Sequence, residues 1–462
     1  MMDDLMDMDA LTLAELVRCG EVSPVEAVSA ALDRIAARAD LNAFITVTAE
    51  SALAEARAAE AAVRRGDALG PLHGLPYSVK DLTLTAGVRT TMGSALFEHF
   101  VPREDAVAVA RTKAAGAILI GKTTTPEFGH KQSTDAPLFG RTLNPVDARY
   151  TCGASSGGAA VAVAAGMGSL ALGTDGGGSI RIPASCCGIV GMKATLGAIP
   201  NLQPADLFGA NSYVGPMARN VADTALLYGV LQGADRRDPY GQLALPAPAA
   251  PAGASLAGLR VAYLPSCGNP VDPEVLTATD AVVRCMEADG ARVEPVSLDF
   301  VSLERHFLVI LESVTASRVG ARLETFRDRL DPSLVATVER GRLHGADALL
   351  EAWAARTQAF AALQAVFERH DVLVSPTLSA PPLSVTQDPN GIVEIAGKPA
   401  GTIRGAWYPY TYPMNLSGHP ALSLPCGRSS LGLPIGLQLC GRWHDDWRLL
   451  DVAARVERLL AG

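Results

Sequence analysis

No stretch of this 462-residue sequence is long and apolar enough to span a bilayer. The most apolar segment, Gly158 to Gly173, is built of small residues and falls short of the roughly 20 that a transmembrane helix needs. No basic run stands out, and a formal net charge of −9 speaks against a nucleic-acid-binding surface. The opening MMDDLMDMDA has neither the basic start nor the apolar stretch of a secretory signal. Eight cysteines are scattered without a CxxC or a Cys/His cluster of zinc spacing. The thiols therefore read as reduced and mostly buried in a cytoplasmic protein, with neither metal nor cofactor expected. Aromatic residues are scarce, at 5%, whereas glycines number 44 and hydrophobic residues reach 48%. Such a chain builds a sizeable core by close backbone packing and glycine-built turns.

Patterning along the chain is that of an α/β protein. Residues 1–65 read as an N-terminal helical part, with Ser23 as an N-cap and Pro24 in the first turn of one helix. From Pro71 the texture changes to short apolar runs between Gly and Pro, and residues 70–230 form the candidate catalytic core. Within it, Ala117–Ile120 and Leu170–Leu172 read as strands and Ala159–Ala165 as a small-residue helix. Leu243–Ser255, LALPAPAAPAGAS, is the one low-complexity segment and reads as an exposed connection. Leu303–His370 is dominated by helical patterns. Strands are expected at LRVAYLP, DVLVSPT, PALSLPC and GLPIGLQLCG, and a closing helix at Trp447–Leu460. The simplest account is one α/β domain, a large mixed β-sheet covered by helices on both faces.

Three segments place a reactive side chain among or near glycines. In HGLPYSVKD, Lys80 follows an apolar, strand-like run that draws its ammonium inward. It reads either as a buried ion pair or as a desolvated lysine of lowered pKa, able to act as a base. In CGASSGG, Ser155 matches the G-x-S-x-G of a nucleophile elbow, but the segment before it is polar and contains proline, where that motif needs a strand. The alternative is a pair of serines capping the following helix. In LGTDGGGSIRIP, three glycines precede Ser179, so backbone N–H groups can converge on one point, as a developing oxyanion requires. A plain glycine-rich turn is the other reading; the Walker and dinucleotide fingerprints are missing. None of the eight histidines lies in a motif, so a Ser-His-Asp triad has no support.

Taken together and in order, GLPYSVKDL, RTKAAGAILIGKT, GASSGG, GTDGGGSIRIPAS, NLSGHPALSLPCG and LPIGLQLCG resemble the amidase signature family over nearly the whole chain. The resemblance implies a Ser–cis-Ser–Lys triad. Ser179 would be the nucleophile that forms an acyl-enzyme, and Ser155, on a cis peptide, would relay protons to neutral Lys80. The backbone N–H groups of Gly176, Gly177, Gly178 and Ser179 would hold the oxyanion. Two departures stand out: Ala154 where the family usually has Gly, and Gly176 where many members carry Thr or a branched residue. Asp175 and Arg181 read as an ion pair or capping contacts bracing the glycine loop, and Asp81 and Asn144 likewise as structural. His73 and His419 read as turn residues.

The family's triad does not separate its substrates. Gly129–Gln132 corresponds to a loop beside the nucleophile. Trp407, Tyr408, Tyr410 and Tyr412 put four aromatics into six residues of a chain poor in them. They read either as a packing cluster or as an apolar wall for an aryl group. Residues 300–412 are accordingly the expected helical pocket region. The expectation is hydrolysis of hydrophobic or aryl amides, with aryl carbamates (urethanes) and esters reachable by the same acyl-enzyme route. The partner would be a small-molecule amide or carbamate, without nucleic acid or membrane, in a monomer or homodimer. The competing expectation is the glutaminase subunit of a tRNA-dependent amidotransferase, which would need a protein partner.

Overall fold

The computed structural model of the chain describes residues 5–209, 211–243, 245, 255–389 and 391–461. They form a single α/β domain on one mixed eleven-stranded sheet. Its strands are β1 Phe44–Val47, β2 Pro76–Lys80, β3 Ile118–Thr123, β4 Leu170–Asp175, β5 Val190–Lys193, β6 Tyr213–Ala218, β7 Arg260–Tyr263, β8 Arg292–Pro295, β9 Val372–Pro376, β10 Ala421–Arg428 and β11 Pro434–Cys440. Their order across the sheet is β1-β3-β2-β4-β6-β5-β10-β11-β9-β7-β8. β2, β3, β4, β6 and β11 are buried at every residue, which requires cover on both faces. The six strands expected from sequence are all present, and the apolar run before Lys80 forms β2. β1, β5, β6 and β8 are additional. β1 interrupts the N-terminal helical part and pairs antiparallel with β3.

Helix starts follow local chemistry. Pro24–Ala37 opens on a full capping box, Ser23 accepting from the Glu26 amide while the Glu26 carboxylate accepts from the Ser23 amide. The helix Pro273–Ala288 begins where it does because Asp272 caps it and proline suits its first turn. Residues 300–412 are not purely helical. They also hold β9 and a small ladder, Val393–Ile395 against Lys398–Gly401, followed by one π-helical turn, Ile403–Trp407. The Leu243–Ser255 connection lies mostly outside the described residues. No helix among them is long and apolar enough to cross a membrane.

What matters for function is the middle of the sheet. β2 lies parallel to both β3 and β4, so the carboxyl ends of β2 and β4 emerge side by side. Lys80 ends β2, and the glycine loop leaves the end of β4. The helix Gly157–Ala164 packs so closely that a Cβ on Gly158 would stand 2.5 Å from the Thr124 amide nitrogen and 2.7 Å from the Ala43 carbonyl oxygen. Both are backbone atoms and cannot step aside. Gly158→Ala should therefore cost about 1–3 kcal/mol by overpacking, read as a lowered urea midpoint at unchanged m-value.

Candidate active site

Lys80 is completely buried, yet no carboxylate of a described residue comes within ion-pair distance of it. Its Nζ lies 2.8 Å from Ser155 Oγ, 3.0 Å from Ser156 Oγ and 3.4 Å from the Thr174 carbonyl oxygen. Burial pushes its pKa well below the ordinary lysine value, opposed only by the charge of Asp175. The ion-pair reading of Lys80 is thus not what the fold built.

A count of protons gives this cluster a direction. The Ser156 hydroxyl donates to the Thr174 carbonyl at 3.0 Å, and its oxygen accepts from the Thr174 amide at 3.2 Å. Its one proton is committed, so towards Lys80 it can only accept. The Thr174 carbonyl can only accept as well. A neutral amine has two N–H bonds and one lone pair. With both N–H bonds directed at Ser156 Oγ and Thr174 O, the lone pair is left for Ser155. The Ser155 hydroxyl then donates to Lys80, and its own oxygen is free to accept another proton. Lys122 makes the contrast. It is equally buried, its pKa pushed down to about 7 by burial against the pull of Asp81. Its partners are the Thr83 carbonyl, Thr85 Oγ1 and Thr90 Oγ1, and both of those hydroxyls already donate to backbone carbonyls. No hydroxyl there has a proton to hand over.

The loops carrying the two candidate serines are tied together, the Ser156 amide donating to the Ser179 carbonyl at 3.0 Å. The Ala154–Ser155 peptide is cis. Neither serine of this loop caps the following helix with its side chain. Between Ala154 and Cys187 only Ala164, Gly176, Gly177 and Ser179 keep partial exposure. Ser179 is therefore the open member of the three, while Ser155 and Lys80 are buried. Gly129 closes one side: a Cβ there would stand 3.2 Å from Ser155 Oγ, and its φ of 74° suits glycine.

Asp175 braces the glycine loop, as the sequence suggested. Its carboxylate accepts from the Gly178 amide at 2.6 Å, the Ile180 amide at 3.2 Å, Asn415 Nδ2 at 2.9 Å and Arg181 Nε and Nη2 at 3.0 Å each. Burial alone would favour its neutral form, but the Arg181 guanidinium and these donors hold the carboxyl well below the usual range. Arg181 in turn reaches the Thr411 carbonyl, Gln438 and Asn415, so every arm is anchored. One expectation needs correcting. The Gly178 amide, counted among the oxyanion donors, is turned to Asp175. The amides of Gly176, Gly177 and Ser179 donate to no described residue and remain available.

Other candidates fall into structural places. Asp81 accepts from the Thr91 amide and hydroxyl, and Asn144 bonds the carbonyls of Thr151 and Cys186. His73 bonds the Ala59 carbonyl, and His419 faces the Ser417 hydroxyl. His130, next to Gly129, is buried, and burial together with the Arg404 charge pushes its pKa down to about 3. All four aromatics are buried; the Tyr410 and Tyr412 hydroxyls bond the carbonyls of Pro265 and Phe300, and the Trp407 indole N–H bonds those of Ala380 and Pro381. Trp407 borders a cavity, and the Phe307 ring lies against Gly177. Ser156, Thr174 and Phe307 were not singled out from sequence; of these, only Ser156 carried a signal, as the second serine of GASSGG.

The sequence profile of the Amidase family matches residues 26–450. The chain is 36% identical to the A component of the glutamyl-tRNA(Gln) amidotransferase of Synechococcus sp. (strain CC9605), covering 98% of this chain and 97% of that protein. It is 35% identical to an acylamidase of Rhodococcus erythropolis, with 97% and 95% covered. Among solved structures, a bacterial aryl acylamidase of the amidase signature family superposes with a TM-score of 0.90 at 28% identity, covering 98% of this chain and 96% of the other. A 6-aminohexanoate cyclic dimer hydrolase superposes at 0.86 with 30% identity, covering 99% and 98%.

Ser156→Ala removes one acceptor of Lys80 and frees the amine to turn, so kcat should fall about 10- to 100-fold with KM little changed. Steady-state kinetics on an anilide, with Ser156→Thr restoring part of the loss, checks it.

Proposed function

The chain belongs to the amidase family, enzymes that hydrolyse amide bonds, and we propose that it cleaves small hydrophobic or aryl amides through an acyl-enzyme on Ser179. The observation that carries this reading is a buried lysine with no carboxylate of a described residue paired to it, 2.8 Å from Ser155, whose loop is bonded to that of the more open Ser179.

In the proposed mechanism Ser179 Oγ attacks the carbonyl carbon. Its proton passes to Ser155 Oγ as the Ser155 proton moves onto the lone pair of Lys80. The negative charge gathering on the carbonyl oxygen meets the free amides of Gly176, Gly177 and Ser179, which are fixed before the reaction begins. Collapse breaks the C–N bond, and the leaving amine takes a proton back along the same path. Water then attacks the ester, its proton passing inward along the same path, and a proton returns to Ser179 Oγ as the acid leaves. Carbamates and esters fit the same sequence, so aryl carbamate (urethane) cleavage belongs to the proposal. No step calls for a metal or a cofactor. We place the protein in the cytoplasm, as a monomer or homodimer.

A second reading has its own support, since several relatives of 33–36% identity over nearly their full length are the A components of glutamyl-tRNA(Gln) amidotransferases. On that reading the chain releases ammonia from glutamine inside a complex.

Intact-protein mass after mixing with a p-nitroanilide and with an aryl carbamate tests the proposal. The expected result is a stoichiometric acyl adduct on the isolated wild-type chain. Ser179→Ala should show no adduct, and its kcat should fall by about 10⁴–10⁶-fold. An adduct that persists in Ser179→Ala overturns the assignment of the nucleophile. Turnover of glutamine alone, and only with added partner proteins, favours the second reading.

A further inference from the structure

A cavity of about 100 Å³ lies between the 131–142 loop and the 383–389 segment. It is not walled by Lys80, Ser155 or Ser179, but its walls continue into the two loops that carry the serines. Thr134, on one wall, donates to the Gly153 carbonyl at 2.8 Å, two residues before Ser155. Trp407, on another, precedes Tyr408, and Thr411 hydrogen-bonds both the Tyr408 and the Gly177 carbonyls. We propose that this cavity is the subsite for the non-reacting end of the substrate, and that it takes a single neutral ring or short branched alkyl group. The inference deepens the amide-hydrolase reading and rests on it.

Size and surface chemistry support the assignment. A closed apolar cavity of about 150 Å³ holds one benzene ring. A space of 100 Å³ that opens to solvent on one side admits one ring partly inserted, and no larger fused system. Leu383, Ile403 and Trp407 supply an apolar wall, and Gln132, Ser133 and Thr151 face it with neutral polar groups.

The lysine of the lining is already paired. Lys131 is shared between Asp135 at 2.8 Å and Asp331 at 2.5 Å, one cation between two carboxylates. One Asp135 oxygen, Oδ1, is buried without a partner. Arg141 bonds the Val385 carbonyl and is itself exposed. A neutral ring entering here leaves the Lys131 ion pairs intact and meets the apolar wall.

Two measurements test this. In kinetics, benzamide and acetanilide put a ring on either side of the scissile bond, and acetamide has none. Ser133→Trp and Leu383→Trp, which fill the cavity from opposite walls, should each lower kcat/KM for the ring-bearing amide that wild type prefers at least tenfold relative to acetamide. An unchanged ratio in both folded variants overturns the inference. In calorimetry, the Ser179→Ala protein should bind the ring-bearing amide, and adding either filling substitution should abolish binding. Binding that survives both fillings also overturns it. Binding lost on filling, in a protein whose wild type turns over no amide, would remove the catalytic reading and leave the subsite standing.

Discussion

An uncompensated buried lysine is the constraint around which the rest is arranged. A buried ammonium costs several kcal/mol unless it is paired, and proteins ordinarily pair it or release its proton. Here the nearest charge is Asp175, and that carboxylate is occupied by Arg181 and by the glycine loop. Lys80 is left with two fixed acceptors and one hydroxyl that can exchange a proton. Were Asp175 free to pair with Lys80, the ammonium would be stabilised and the base lost. The Asp175–Arg181 pair thus holds the glycine loop in shape and also keeps a counter-ion away from the lysine.

The sheet makes this arrangement possible. β2 and β4 are parallel neighbours, so a lysine at the end of one and a glycine loop at the end of the other meet without any long reach. Loops at the carboxyl ends of neighbouring parallel strands are a common place for sites in α/β proteins. The serine loop enters from the β3 side and is fixed by the close packing of Gly158 on Thr124 and by the bond from Ser156 to Ser179. Exposure then grades outward from Lys80 through Ser155 to Ser179, which suits a base, a relay and a reacting group.

Much of this could be read from the sequence, and the limits have physical causes. The apolar runs at Leu170–Leu172 and Ile435–Leu439 marked strands because both faces of the sheet are covered. β1, with only the half-buried FITV, carries too little periodicity to show itself between two helices. Lys80, Ser155 and Ser179 were legible because their motifs are distinctive. The acceptor role of Ser156 was not, because it depends on where the Thr174 carbonyl points. Gly178 was misassigned for a similar reason: a run of glycines tells that amides can converge, whereas only the Asp175 carboxylate decides which of them are taken. Composition alone also could not tell that Trp407, buried like Tyr410 and Tyr412, borders a cavity.

The claim on which the account depends is that Lys80 works as a neutral base. Its lowered pKa makes the active form the one present above that pKa and lost as pH falls through it. The most direct test is the pH dependence of kcat/KM on an unactivated anilide. The account predicts a one-proton acid limb with its midpoint well below the ordinary lysine value of about 10.4, then a plateau, with the limb absent from the residual activity of Lys80→Met. Activity that appears only as pH approaches the ordinary lysine value, or a limb that persists unchanged in Lys80→Met, would contradict it.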